Sequence, residues 1–185
     1  MMFFLQSIPC PGGFYLGSDL MGLTFSNFMT SKKNPPLKKE DCEKDRCAWG
    51  YSFNFSGGYG LVTGGKYKGF RMRIGKDFGR PGCEFFMPAF IDLQALIGLY
   101  LTPSNLFYCA PGITIAWNHH QTQSSAIPDW GWAISSGSRI MITGHMYCQI
   151  EGTFLYHNKA AKNQTQSIDF NKRALRFCVG GGYNF

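Results

Sequence analysis

Residues 176–185 read RFCVGGGYNF, and the side of the chain on which each of these residues falls decides the fold. In an extended strand, alternate side chains point to opposite faces. Leu175, Phe177, Val179, Gly181, Tyr183 and Phe185 then share one face, while Ala174, Arg176, Cys178, Gly180, Gly182 and Asn184 share the other. One face is apolar and the other is small or polar, the mark of a two-sided strand. A single strand of this kind also suits the edge of an ordinary sandwich, so its neighbours must decide.

The same period of two recurs upstream. In AWGYSFNFSGGYGL (48–61), Trp49, Tyr51, Phe53, Phe55, Tyr59 and Leu61 alternate with Gly50, Ser52, Asn54, Ser56, Gly58 and Gly60. In GFRMRIGKD (69–77), Phe70, Met72 and Ile74 alternate with Arg71, Arg73, Gly75 and Asp77. The stretch AFIDLQALIGLYL (89–101) contains helix formers, but its unbroken odd-numbered apolar set predicts a strand. LFYCAPGITIAWN (106–118), WGWAISSGSRIMI (130–142) and MYCQIEGTFLY (146–156) follow suit, with Pro111 as a weak point because it has no N–H for a ladder. Only GFYLGSDLMGLTF (13–25) has apolar residues on both faces. The total is about eight strands.

Their connections alternate in length. Long or moderate loops fall near residues 26–46, 79–84, 119–129 and 157–167, and short turns fall near 63–66, 102–105 and 143–145. An up-and-down meander places all the short turns at one end and all the long loops at the other. Eight such strands close into a barrel, which removes the exposed edges of the sheet.

Which face meets water follows from composition. The 185 residues are 16% aromatic and only 16% charged, against about 25% charged in an average soluble domain. The polar faces carry Ser, Asn, Gly, Ala and Gln with a few charges, and lack the rows of Lys and Glu that a soluble exterior needs. The apolar faces carry almost no charge, as strands facing a bilayer require. The polar face therefore turns inward and the apolar face outward, giving an all-β, eight-stranded antiparallel up-and-down transmembrane β-barrel over residues 13–185. Trp49, Trp117, Trp130 and Tyr156, near strand ends, form an aromatic girdle.

Other features exclude other classes. The formal charge of +7 suits nucleic acid or an acidic surface, but the densest basic stretch, SKKNPPLKKEDCEKDRC (31–47), mixes its lysines with Glu40, Asp41, Glu43 and Asp45. It reads as a solvated loop, and no nucleic-acid partner is expected. No run of 18 apolar residues is present, so no transmembrane helix is expected. Residues 1–12 suit either the remnant of a signal peptide or a leading loop. Of seven cysteines, Cys42 and Cys47 are close enough to pair in an oxidising compartment, and the absence of any CxxC pair argues against zinc. No metal or cofactor is expected.

The opening GFYLGSDLMGLTF, the TPSN turn, the hairpin GWAISSGSRIMITGHMYCQIEGTFLYH and the closing FCVGGGYNF resemble the opacity-protein and OmpA-like eight-stranded outer-membrane barrels of Gram-negative bacteria. The resemblance covers Gly13 to Phe185 and lies in pattern more than in exact motif. It implies the bacterial outer membrane as location, with its lipid and lipopolysaccharide as surroundings. It also implies a C-terminal signal for the outer-membrane assembly machinery, formed by Phe177, Val179, Tyr183 and Phe185. The seven cysteines and the missing full signal peptide depart from the family's pattern.

Function is read from the interior. A barrel of eight strands is just filled by its own side chains, and parity turns Arg71, Arg73, Arg139, Arg176, Asp77, Asp92 and Glu151 inward. Isolated buried charges are costly, so these seven are expected to form an ion-pair network that plugs the barrel. The expected role is that of a monomeric, non-enzymatic surface protein, structural or adhesive, whose long loops meet lipopolysaccharide or a host ligand. A small-solute channel lined by the arginines is one alternative. A barrel enzyme acting on lipid A is the other; His119, His120, His145 and His157 are its candidate bases, but no His stands two residues before a Ser on one strand.

Overall fold

The computed structural model describes residues 12–26, 48–79, 89–118, 127–157, 161–163, 166–168 and 172–185. Eight long strands form the wall: β1 (Gly13–Ser26), β2 (Ala48–Thr63), β3 (Lys66–Gly79), β4 (Ala89–Thr102), β5 (Asn105–Asn118), β6 (Ile127–Met141), β7 (Met146–His157) and β10 (Lys172–Asn184). A small hairpin, β8 (Ala161–Asn163) with β9 (Gln166–Ile168), lies between β7 and β10. The shortest wall strand has 12 residues, enough for the roughly 9–11 that a tilted strand needs to cross a bilayer.

Each wall strand pairs antiparallel with its sequence neighbour, and β1 pairs with both β2 and β10, so the sheet closes into a barrel in the order β1-β10-β7-β6-β5-β4-β3-β2. The closing seam is completed at its tip, where the Phe185 N–H donates to the Phe14 carbonyl at 2.9 Å; on the other side of β10 the Asn184 N–H donates to the carbonyl of His145, in the turn before β7, at 2.8 Å. Strand direction puts the turns after β2, β4 and β6 at one end, with Gly13 and Phe185. The first is made by Gly64 and Gly65, both at positive φ (56° and 75°), the conformation of the two-residue hairpin turns that match strand twist.

Burial alternates as the sequence predicts. In β4, Phe90, Asp92, Gln94 and Leu96 are buried, while Leu93, Ile97, Leu99 and Leu101 are exposed. In β10, Ala174, Arg176 and Cys178 are buried, while Leu175, Phe177, Val179, Tyr183 and Phe185 are exposed. A barrel standing in water with Phe14, Phe55, Phe70, Trp130, Trp132 and Phe185 all more than half exposed would present apolar surface well beyond the patches that soluble proteins tolerate. Contact with lipid removes that cost.

Two irregularities explain the strands that were hardest to read. The β1 register shifts between Asp19 and Met21: Leu16 pairs with Tyr183, but Met21, Leu23 and Phe25 pair with Val179, Phe177 and Leu175. A bulge inserts one residue, so the positions opposite the outward residues of β10 change from even to odd numbers within one strand. At Pro111 the β4–β5 ladder passes from Gln94↔Gly112 to Ile97↔Cys109 without the two intervening pairs, yet the register is unchanged. The missing N–H costs ladder bonds but does not break the wall.

The interior is also less uniformly small and polar than expected. Tyr67, Leu96, Leu106, Tyr108 and Ala110 form one buried apolar cluster toward the short-turn end, and Ala133, Leu155 and Ala174 another toward the long-loop end. The ion-paired groups lie between these layers.

Candidate functional site

The barrel order puts β3 opposite β7 and β4 opposite β10, four steps apart in either direction around the ring. Side chains from these opposed walls meet in the middle. Arg71 Nη1 donates to Glu151 Oε2 at 2.6 Å, and Arg73 Nη2 donates to Glu151 Oε1. Glu151 thus receives one guanidinium on each oxygen, and Tyr108 O–H adds a bond to Oε2 at 2.6 Å while Thr153 Oγ1 bonds Oε1 at 3.0 Å. Asp92 Oδ2 is shared more loosely by Arg73 Nη1 at 3.8 Å and Arg176 Nη1 at 3.5 Å. All these ion-paired side chains are fully withdrawn from solvent.

Neutral groups complete this layer. Arg71 Nε and Nη2 both donate to Gln94 Oε1, at 3.1 and 2.5 Å, and Gln94 Nε2 donates to Ser135 Oγ at 2.7 Å and to the Ala110 carbonyl at 3.1 Å. Ser135 and Thr153 hydroxyls are 2.8 Å apart. Arg176 lies over the face of Phe90, with its Cζ 3.7 Å from the ring centroid, so an aromatic quadrupole adds to the support that Asp92 gives this charge. A charge network in which opposite charges meet and neutral donors and acceptors join them is the form in which buried ions are tolerated.

The structure therefore brings Arg71, Arg73, Asp92, Glu151 and Arg176 together and separates Arg139 from them. Arg139 stands among tyrosines: its Cζ is 4.2 Å from the Tyr147 ring centroid, 4.4 Å from Tyr15 and 5.9 Å from Tyr108. Its Nε and Nη2 have no protein acceptor. The expected ionic partner is replaced by an aromatic cage, because Arg139 sits nearer the short turns than any buried carboxylate does. Asp77 keeps its place in β3 opposite Ser52, but its side chain lies outside the described residues.

The carboxylate that the sequence reading missed is Asp19, buried in β1 and accepting a hydrogen bond from Gln149 Nε2 at 2.9 Å. Among the described side chains four buried arginines thus face three buried carboxylates. A lone Asp in an otherwise apolar strand was the available signal, and the bulge beside it hid its face. The tyrosine cage was legible only in part, since Tyr108 and Tyr147 share parity with inward residues but nothing local shows that they converge on β6.

On the outer wall, Trp117, Trp130 and Tyr156 all lie toward the long-loop end, with Ile115 paired to Trp130 and Trp132 to Tyr156. Trp49 lies at that end of β2, but its side chain is outside the described residues. At the opposite end Phe14 packs against Tyr59, and Tyr183 packs against both Phe185 and His145. His145 Nδ1 also bonds the Asn184 carbonyl at 2.9 Å, which ties the β6–β7 turn to the last strand. Of the other histidines, His119 and His120 lie outside the described residues, as do Cys42, Cys47 and the lysine-rich stretch, and nothing is described of the His157 side chain.

A closed, eight-stranded, lipid-facing meander with a charged interior is the fold of the opacity and OmpA-like outer-membrane β-barrels. Among solved structures the chain is similar to Neisserial surface protein A, with a TM-score of 0.60 and 15% identity over 94% of this chain and 97% of that one. It is also similar to Ail, the attachment invasion locus protein of Yersinia pestis, with a TM-score of 0.51 and 12% identity over 95% of this chain and all of that one. No protein-family model matches the chain, and no curated protein matches it by sequence.

Proposed function

We propose that this protein is a non-enzymatic surface barrel of the bacterial outer membrane whose interior is sealed and whose long-loop end carries an adhesive or structural role. The observation that supports it is the meeting of Arg71 and Arg73 with Glu151 across the barrel, between strands on opposite walls. Side chains in direct contact across the lumen support a sealed interior, since fixed charges in mutual contact are poor ligands for a passing solute. The similar proteins are described as a surface protein and an attachment protein, which is the role read here. Its surroundings are outer-membrane lipid and lipopolysaccharide, it is inserted by the outer-membrane assembly machinery, and its loops reach a host surface ligand.

Planar-bilayer recordings test the seal. The purified protein should insert without stable unitary conductance, and a stable conductance would overturn the plug. The loop role is tested by exchanging residues 27–47 for a short turn. Binding to lipopolysaccharide or host cells should be lost while the unheated protein still migrates faster than the boiled form on a gel; unchanged binding would sink the loop assignment.

A further inference from the structure

The few charges on the outer wall include lysines of β3. On β3 the outward residues run Lys66, Lys68, Phe70, Met72, Ile74 and Lys76, all exposed. Lys66 and Lys68 stand at the short-turn end, separated by about 7 Å along the strand. They are not beyond the apolar band but level with it: Lys68 pairs with Leu61 on one side and Ile97 on the other, and Lys66 pairs with Leu99. Those three apolar partners are each more than half exposed, as is Leu101 farther toward the turn.

An ammonium group at this level has few ways to be solvated. Among the described residues no Asp or Glu side chain stands on the outer wall, since Asp19, Asp92 and Glu151 are all buried inside. The long aliphatic stems can carry their charges toward the membrane surface along the flanking leucines, and there the abundant counter-charge is the lipid phosphate. Two lysines on one face, two residues apart, present a doubly charged notch to a single headgroup. A zwitterionic headgroup returns a cation to the notch, whereas an anionic one does not.

We infer that Lys66 and Lys68 form a headgroup site for an anionic glycerophospholipid in the leaflet at the short-turn end. The inference rests on the reading of the chain as a membrane-spanning barrel. The site holds a phosphodiester at the foot of β3, against Leu61, Ile97 and Leu99, and sets the depth of this side of the barrel in the leaflet.

The test uses the full chain in phosphatidylcholine vesicles with a trace of spin-labelled phosphatidylglycerol or spin-labelled phosphatidylcholine, reading the motionally restricted fraction of each. The wild type should prefer phosphatidylglycerol, and K66Q/K68Q should lower that preference by about two- to fivefold at low salt, while K66R/K68R retains it. The loops are the same in all three proteins, so the differences read these two lysines. Heat-shifted migration is recorded for every sample. A wild type that fails to insert overturns the barrel reading and this inference with it. An inserted, heat-shifted K66Q/K68Q with unchanged preference, or an inserted wild type with no preference, overturns the lysine site alone.

Discussion

Glu151 and Arg139 show two ways for one small lumen to keep a charge. Glu151 accepts from two guanidinium groups, a phenol and a hydroxyl, so Glu151→Gln strands Arg71 and Arg73 together in a space closed to solvent. Loss of one partner from a buried pair costs about 3–5 kcal/mol, and urea unfolding in lipid vesicles should show a loss of that order. Asp92→Asn should cost less, because its nearest guanidinium nitrogens are at 3.5 and 3.8 Å. Arg139 has ring faces in place of a carboxylate, so Arg139→Met leaves no orphaned anion. It should destabilise less than Arg73→Met, which removes a cation from both Glu151 and Asp92; the reverse ranking in the same unfolding assay would refute the cage assignment. Parity alone revealed that Arg139 points inward, but which neighbours it meets depends on strands that are remote in sequence.

Among the elements, the turns and the bulge govern register. Gly64 and Gly65 hold the left-handed region, where a Cβ costs roughly 1–2 kcal/mol. Gly64→Val should therefore lower the unfolding free energy by about that amount, whereas Gly64→Asn, which tolerates such a φ, should cost little; urea midpoints distinguish them. Gly180 and Gly182 of β10 have a different reason. A Cβ on Gly180 would strike the Ser18 carbonyl and the Asp19 side chain, and one on Gly182 would strike the Leu16 carbonyl and the Tyr147 hydroxyl. They are small because β1 and the inward tyrosines pack over them. The alternation of the wall strands other than β1 was legible in sequence because each keeps one face inward and one outward along its length. β1 was not, because a one-residue insertion exchanges the two faces midway.

For the whole molecule, closure is the decisive property. The seam between β1 and β10 joins the two ends of the described chain and finishes on the bond between Phe185 and Phe14, while Asn184 and His145 tie the other side of β10 to the β6–β7 turn. Phe185 contributes one backbone bond there and a ring beside Tyr183, while more than half of its surface faces lipid. Deleting Phe185 should thus reduce the yield of inserted barrel in cells by more than it lowers the urea midpoint of the barrel that does form. Quantifying the heat-shifted band against total protein checks this expectation. An equal loss in both would mean that the residue acts through stability and not through assembly.

By itself the sequence determined the strand period, the number of strands, the alternation of long and short connections and the sign of each face. These depend on the two-residue repeat of an extended chain and on the cost of charge in lipid, both of which are local. Only the tertiary structure decided which strands oppose each other, and so which inward charges meet. Arg71 and Glu151 are 80 residues apart, and nothing near either one in sequence indicates that closure sets them face to face. The same is true outside: parity places Lys66 and Lys68 on the outer wall, but only the register with β2 and β4 shows them level with the leucines, where a lipid phosphate is the counter-charge at hand.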